Sequence, residues 1–166
     1  ILQEKSLKIT WEHSNANKTH HYRVDGITRN KKEQPLLLQW NGKALNIENK
    51  GQEELAVPAV GEFKLLNVVA VNESQQYASV QFSDALAVGQ DLSGLITISN
   101  QEEPAYTING SEVKLFASGQ LEGNFTVFTN AGIQNKWGQT LAGNFTSSIV
   151  FENRKPSVKI QGKGNI

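Results

Sequence analysis

The chain contains no cysteine and no methionine among its 166 residues. The missing thiol excludes disulfides, thiolate-ligated zinc and a cysteine nucleophile within this sequence. There is also no excess of either charge sign: 16 Lys and Arg stand against 16 Asp and Glu, and neither gathers into a long block. Nucleic acid is gripped through positive charge at phosphates and anionic membranes through polybasic patches, so we expect neither as a partner. No apolar run is long enough to cross a bilayer as a helix, and no signal-peptide pattern opens the sequence. Helical periodicity is missing too. What recurs instead is a turn signal every eight to twelve residues or so, the spacing of an all-β chain.

The apolar content, 38%, is enough for packed cores. The organising stretch is Gln76 to Ser99, QYASVQFSDALAVGQDLSGLITIS. Ala78, Val80 and Phe82 alternate with Tyr77, Ser79 and Gln81, as a half-buried strand requires. Ser83 and Asp84 stop that strand, because short polar side chains bond nearby backbone in turns. The β-branched run Leu95-Ile96-Thr97-Ile98 then starts another.

Upstream, SLKITWEH, HHYRVDGI, PLLLQW, KALNIE and EELAVP read as short strands, and Asn41-Gly42 reads as a two-residue hairpin turn. They form a small unit over 1–59. A unit this small is marginal alone, so we expect it to continue upstream of Ile1 or to lean on a neighbour. Downstream, GEFKLLNVVAVNE (Phe63, Leu65, Val69, Val71), AYTING, SEVKLFAS, GNFTVFT and FTSSIVFE continue the pattern. The expected core of this second unit, 60–154, is Leu65, Val80, Phe82, Ile96, Leu115, Val127 and Val150. Residues 155–166 read as a linker and the start of a following domain. The expectation is an all-β chain of two antiparallel immunoglobulin- or fibronectin-like β-sandwich units in tandem, cut from a longer polypeptide.

No reactive centre stands out, and we expect no enzyme, no cofactor, and no catalytic or metal-binding residue. His20 and His21 are strand neighbours pointing to opposite faces, so they cannot share one metal, although His13 can approach one of them across a hairpin. Asp84 and Asp91 flank a glycine-containing loop without the dense acidic spacing of a calcium site, and we read them as turn caps. No Gly-x-Ser-x-Gly elbow supports a hydrolase triad, and Gly162 to Asn165 lacks the spacing of a phosphate loop. Trp11, Trp40 and Trp137 are candidate sugar-stacking platforms. Trp11 and Trp40 share parity with aliphatic strand residues and are expected in a core or a domain interface. Trp137 lies in the Gly- and Asn-rich loop NAGIQNKWGQTLAG, where it is either an exposed platform or a lid over one end of the sandwich. The Asn-x-Ser/Thr sequons at Asn17, Asn72, Asn109, Asn124 and Asn144 are read as incidental to an Asn-rich chain.

In order, YASVQFSDALAVGQDLSGLITI, YTINGSEVKLFASG, GNFTVFTNAGIQNKWGQTLAG and SIVFENRKPSVKIQGKGNI resemble an N-terminal stretch of bacterial alpha-2-macroglobulins. ITWEH, YRVDGITR, LLLQWNGK and VPAVGEF resemble the small β-domain that precedes it. The resemblance implies macroglobulin-type sandwiches within a large periplasmic or envelope protein, often a lipoprotein, that traps proteases after bait cleavage. Many members then capture the protease through a Cys-x-Glu-Gln thioester. This chain has no cysteine and no recognisable bait region, so the resemblance implies scaffold: its partners are neighbouring domains of the same chain, and proteases only through the full-length protein. The competing reading is an immunoglobulin-like binding or spacer module of a bacterial surface adhesin or polysaccharide-processing protein. An exposed Trp137 favours that one.

Overall fold

The structure, a computed structural model, describes residues 6–13, 20–43, 48–72 and 75–153. It is all-β, and the contacts within it divide the chain into two units, Ile1–Val60 and Gly61–Ile166.

Among the described residues, the first unit carries four strands: β1 (Lys8–His13), β2 (His20–Asp25), β3 (Gln34–Asn41) and β4 (Lys50–Val57). They pair antiparallel as β1-β2 and β3-β4. Alternation gives each hairpin one apolar face. Ile9 lies opposite Val24 and Trp11 opposite Tyr22 in one, while Leu36 lies opposite Leu55 and Trp40 opposite Gly51 in the other. Of the two placements expected for the tryptophans, core or domain interface, the core is excluded: Trp11 is 56% and Trp40 48% exposed. Trp11 instead packs on Tyr22, ring centroids 5.5 Å apart. Trp40 lies across Gly51, where a Cβ would stand 2.9 Å from the indole Nε1 and nearer still to two ring carbons. Nor does Asn41-Gly42 close a two-residue turn. Asn41 pairs with Lys50 and the Gly42 N–H donates to Asn49 O, so the hairpin closes further out. Most of the segment expected as a KALNIE strand lies outside the described residues. The unit's tail is held by Arg29, whose guanidinium donates to the carbonyls of Pro58 (3.0 Å) and Ala59 (2.5 Å).

The second unit holds β5 (Leu65–Asn72), β6 (Gln76–Phe82), β7 (Ile96–Ile98), β8 (Ala105–Asn109), β9 (Glu112–Phe116), β10 (Gly123–Thr129) and β11 (Phe145–Phe151). They form a four-stranded sheet, β5-β6-β9-β8, and a three-stranded sheet, β11-β10-β7. All the ladders are antiparallel. One core joins the inner faces: Ala78, Val80, Phe82, Val113 and Leu115 from the first sheet, Ile96, Ile98, Val127, Ile149 and Phe151 from the second. At roughly 1.5–3 kcal/mol for each fully buried side chain of this kind, this core is the unit's main stabilisation.

One expected core position, Val150, proves wrong, and β5 departs from the simple alternation of its sequence, each for a local reason. A bulge between Leu65 and Asn67 breaks the alternation of β5. Phe63 and Leu65 face the core before it and Val68 and Ala70 after it, which leaves Val69 exposed. In β11, Ile149 and Phe151 point inward, so Val150 points out. In β10, Phe125 packs against the core edge to face with Phe151, whereas Phe128 faces outward.

A buried amide ties the end of the sandwich where β11 finishes. Gln76 Nε2 donates to Leu121 O (3.0 Å) and Glu152 O (3.2 Å), and its Oε1 accepts from Leu121 N at 3.0 Å. Asn72 Oδ1 accepts from both Gln76 Nε2 and Glu152 N.

Candidate functional site

Two connections meet at the other end of the second unit: residues 83–95 between β6 and β7, and residues 130–144 between β10 and β11. Leu86 and Asn135 form an antiparallel bridge, and both are buried. Backbone bonds flank that bridge on either side, Lys136 N to Ala85 O at 2.8 Å and Ala87 N to Gln134 O at 3.0 Å. The Gln90 side chain then extends the ladder like one more peptide group. Its Oε1 accepts from Gln134 N at 2.7 Å and its Nε2 donates to Gln134 O at 3.2 Å.

Asn135, with no exposed surface, organises the second loop from inside. Its Oδ1 accepts from Trp137 N (3.0 Å) and Gln139 N (2.9 Å), and its Nδ2 donates to Gln139 Oε1 (2.7 Å). Its backbone N–H donates to Gln139 O and its carbonyl accepts from Gly138 N, both at 2.9 Å. Gln139 Nε2 in turn donates to Gly61 O. Every backbone N–H from Gln134 to Gln139 is therefore bonded. The segment Asn135-Lys136-Trp137-Gly138 has Asn at the first turn position and Gly at the fourth, the composition such a turn favours. That signal is present in the sequence.

This satisfied loop presents Trp137 to solvent at 65% exposure, with Lys136 Nζ 4.3 Å from its ring centroid. Val88, on the facing connection, is fully exposed. Of the large hydrophobics in the described residues, these two are the most exposed. Trp137 is thus a displayed aromatic and not a lid.

The other singled-out residues are placed as follows. The register sets His13 directly opposite His20, with His21 opposite Glu12. Among the described residues, no three or more His, Cys, Asp or Glu are grouped to hold a metal. Asp84 is buried, with Oδ2 accepting from Ser83 Oγ at 2.6 Å. Asp91 caps its turn, accepting from Ser93 N (2.9 Å) and the Tyr106 hydroxyl (3.0 Å). The Ser93 N–H foremost, then the Ser93 and Tyr106 hydroxyls, hold its carboxyl below the usual carboxylate value. Asn17 and the segment 162–165 lie outside the described residues.

No protein-family model, no curated protein and no solved structure matches the chain.

Proposed function

We propose that the chain is a non-catalytic β-sandwich module, immunoglobulin-like in its second unit, that binds a partner through the Trp137 end. The strand orders β5-β6-β9-β8 and β11-β10-β7 correspond, strand for strand, to the ABED and CFG sheets of constant-type immunoglobulin domains. In that correspondence the two stitched connections are the B–C and F–G loops, which carry recognition in variable domains of this fold. Aliphatic residues of β6 and β10 fill the inward positions where antibody domains place their cysteines. The observation that carries the reading is Trp137, 65% exposed on a turn whose backbone donors from Gln134 to Gln139 are all bonded. Exposing an indole forgoes burial energy, and fixing it in advance lowers the entropy cost of binding.

The experiment is retention of the purified chain on oligosaccharide and peptide arrays, compared with Trp137→Ala. Loss of a specific signal in the variant supports the module reading; signals identical in both proteins refute it.

A scaffold role in an extracytoplasmic protease trap of the macroglobulin type is the second reading. The order of the sequence motifs and the buried Gln76 cross-link, which stiffens the unit at Glu152, favour it. On that reading Trp137 packs against a neighbouring domain of the full-length protein, and Trp137→Ala weakens protease inhibition without touching either array.

A further inference from the structure

Resting on the binding-module reading, we infer that the ligand of the Trp137 end is a saccharide chain. It lies along the outward face of the ladder formed by Ala85–Ala87 and Gln134–Lys136.

The geometry follows from one bridge. Leu86 and Asn135 are paired and both are buried. Opposite residues of an antiparallel pair share a face and neighbours alternate, so Ala85, Ala87, Gln134 and Lys136 point out together. Their exposure agrees: the alanines are half-buried, while Gln134 and Lys136 are exposed. The result is a flat strip with a floor of two methyl groups. Trp137 stands at one end and the Gln134 amide and Lys136 ammonium lie along one side.

The size of the strip selects the class of ligand. Three residue pairs span roughly 10 Å along the strands, and two strands are about 10 Å wide, on the order of 100 Å² in all. A stable protein partner needs about 800 Å² per side and a cluster of buried anchors, several times what is offered. A narrow ligand with an apolar face and many hydroxyls fits instead. A pyranose ring packs its C–H face on the indole, while its hydroxyls meet an amide that both donates and accepts and an ammonium that donates. Lys136 Nζ lies 4.3 Å from the indole centroid, which sets the ammonium beside the ring on which the sugar packs. The bonded backbone of 134–139 keeps the strip from competing for those hydroxyls with loose N–H groups of its own.

The test probes the purified chain with an array of linear neutral and uronate-containing oligosaccharides and, in parallel, an array of unmodified peptides. Affinities for any hit are then measured by calorimetry. The variants are Trp137→Ala, Ala85→Gln to lay a longer side chain across the floor, and Val150→Thr on the outer face of β11 as a control, each checked for an unchanged unfolding midpoint. We expect at least one oligosaccharide to bind, with at least a tenfold loss in W137A and in A85Q and no change in V150T. Binding of sugars that is equal in all four proteins overturns the inference. So does a Trp137-dependent hit confined to peptides, which leaves the module reading standing. No Trp137-dependent hit on either array overturns both.

Discussion

The buried side-chain oxygen of Asn135 accepts the backbone N–H of Trp137 at 3.0 Å, so a residue with no exposed surface fixes the most exposed tryptophan in the described chain. The same oxygen also holds Gln139 N, and one side chain thereby sets the whole turn. Asn135→Ala would leave two backbone donors without their acceptor. The expected cost is about 1–3 kcal/mol, with faster amide exchange confined to residues 136–139. Chemical denaturation and hydrogen-exchange mass spectrometry measure both; an unchanged exchange pattern would show that Asn135 does not organise the loop.

Thr129 is a core residue whose Oγ1 has no hydrogen-bond partner among the described residues. Replacing Thr by Val ordinarily costs stability because a hydroxyl bond is lost, but here there is none to lose. Thr129→Val is expected to stabilise the second unit by ~1 kcal/mol in urea denaturation. A destabilisation of that size would mean the hydroxyl is bonded.

In the first unit, Gly51 is the gap that Trp40 fills. An alanine there would collide with the indole on a hairpin that has little else to hold it. Gly51→Ala is expected to displace Trp40, costing about 1–3 kcal/mol of hairpin stability. The readout is the emission of Trp40 in a background lacking the other two tryptophans, together with faster proteolysis inside residues 34–57. Unchanged emission would place the ring elsewhere.

Asp91 is held ionised by Ser93 and Tyr106, which depresses its folded pKa below the unfolded value. Its contribution to stability is therefore complete above the unfolded value of about 3.9 and fades as pH falls through the lower folded value. Carboxyl-carbon NMR titration should find Asp91 below the ordinary aspartate range, and Tyr106→Phe should move it upward. A wild-type value at or above about 3.9 would contradict the bonding.

Much of the second unit is legible in the sequence because its strands are half-buried and alternate cleanly. The buried trio Ala78, Val80 and Phe82 of β6 can be read directly from period two. β5 could not be read the same way, since the bulge after Leu65 moves its apolar residues to the other parity and strands Val69 in solvent. β11 offers Ile149, Val150 and Phe151 in a row, and composition alone does not say which of them points outward. Trp11 and Trp40 share parity with aliphatic neighbours, yet parity identifies a face without saying whether anything covers it. At the candidate site, the exposed loop tryptophan was foreseeable. The pairing of Ala85–Ala87 with Gln134–Lys136 was not, because it joins positions some fifty residues apart through backbone bonds that leave no compositional mark.

The most direct test of the account is chemical-shift mapping of the isotope-labelled chain, titrated with the best-bound compound from the arrays. Perturbations are expected to concentrate at residues 85–87 and 134–138 and at the Trp137 indole N–H. Perturbations centred on the hairpin faces of Trp11, Tyr22 and Trp40, or on the outer faces of β10 and β11, or absent altogether, would contradict it.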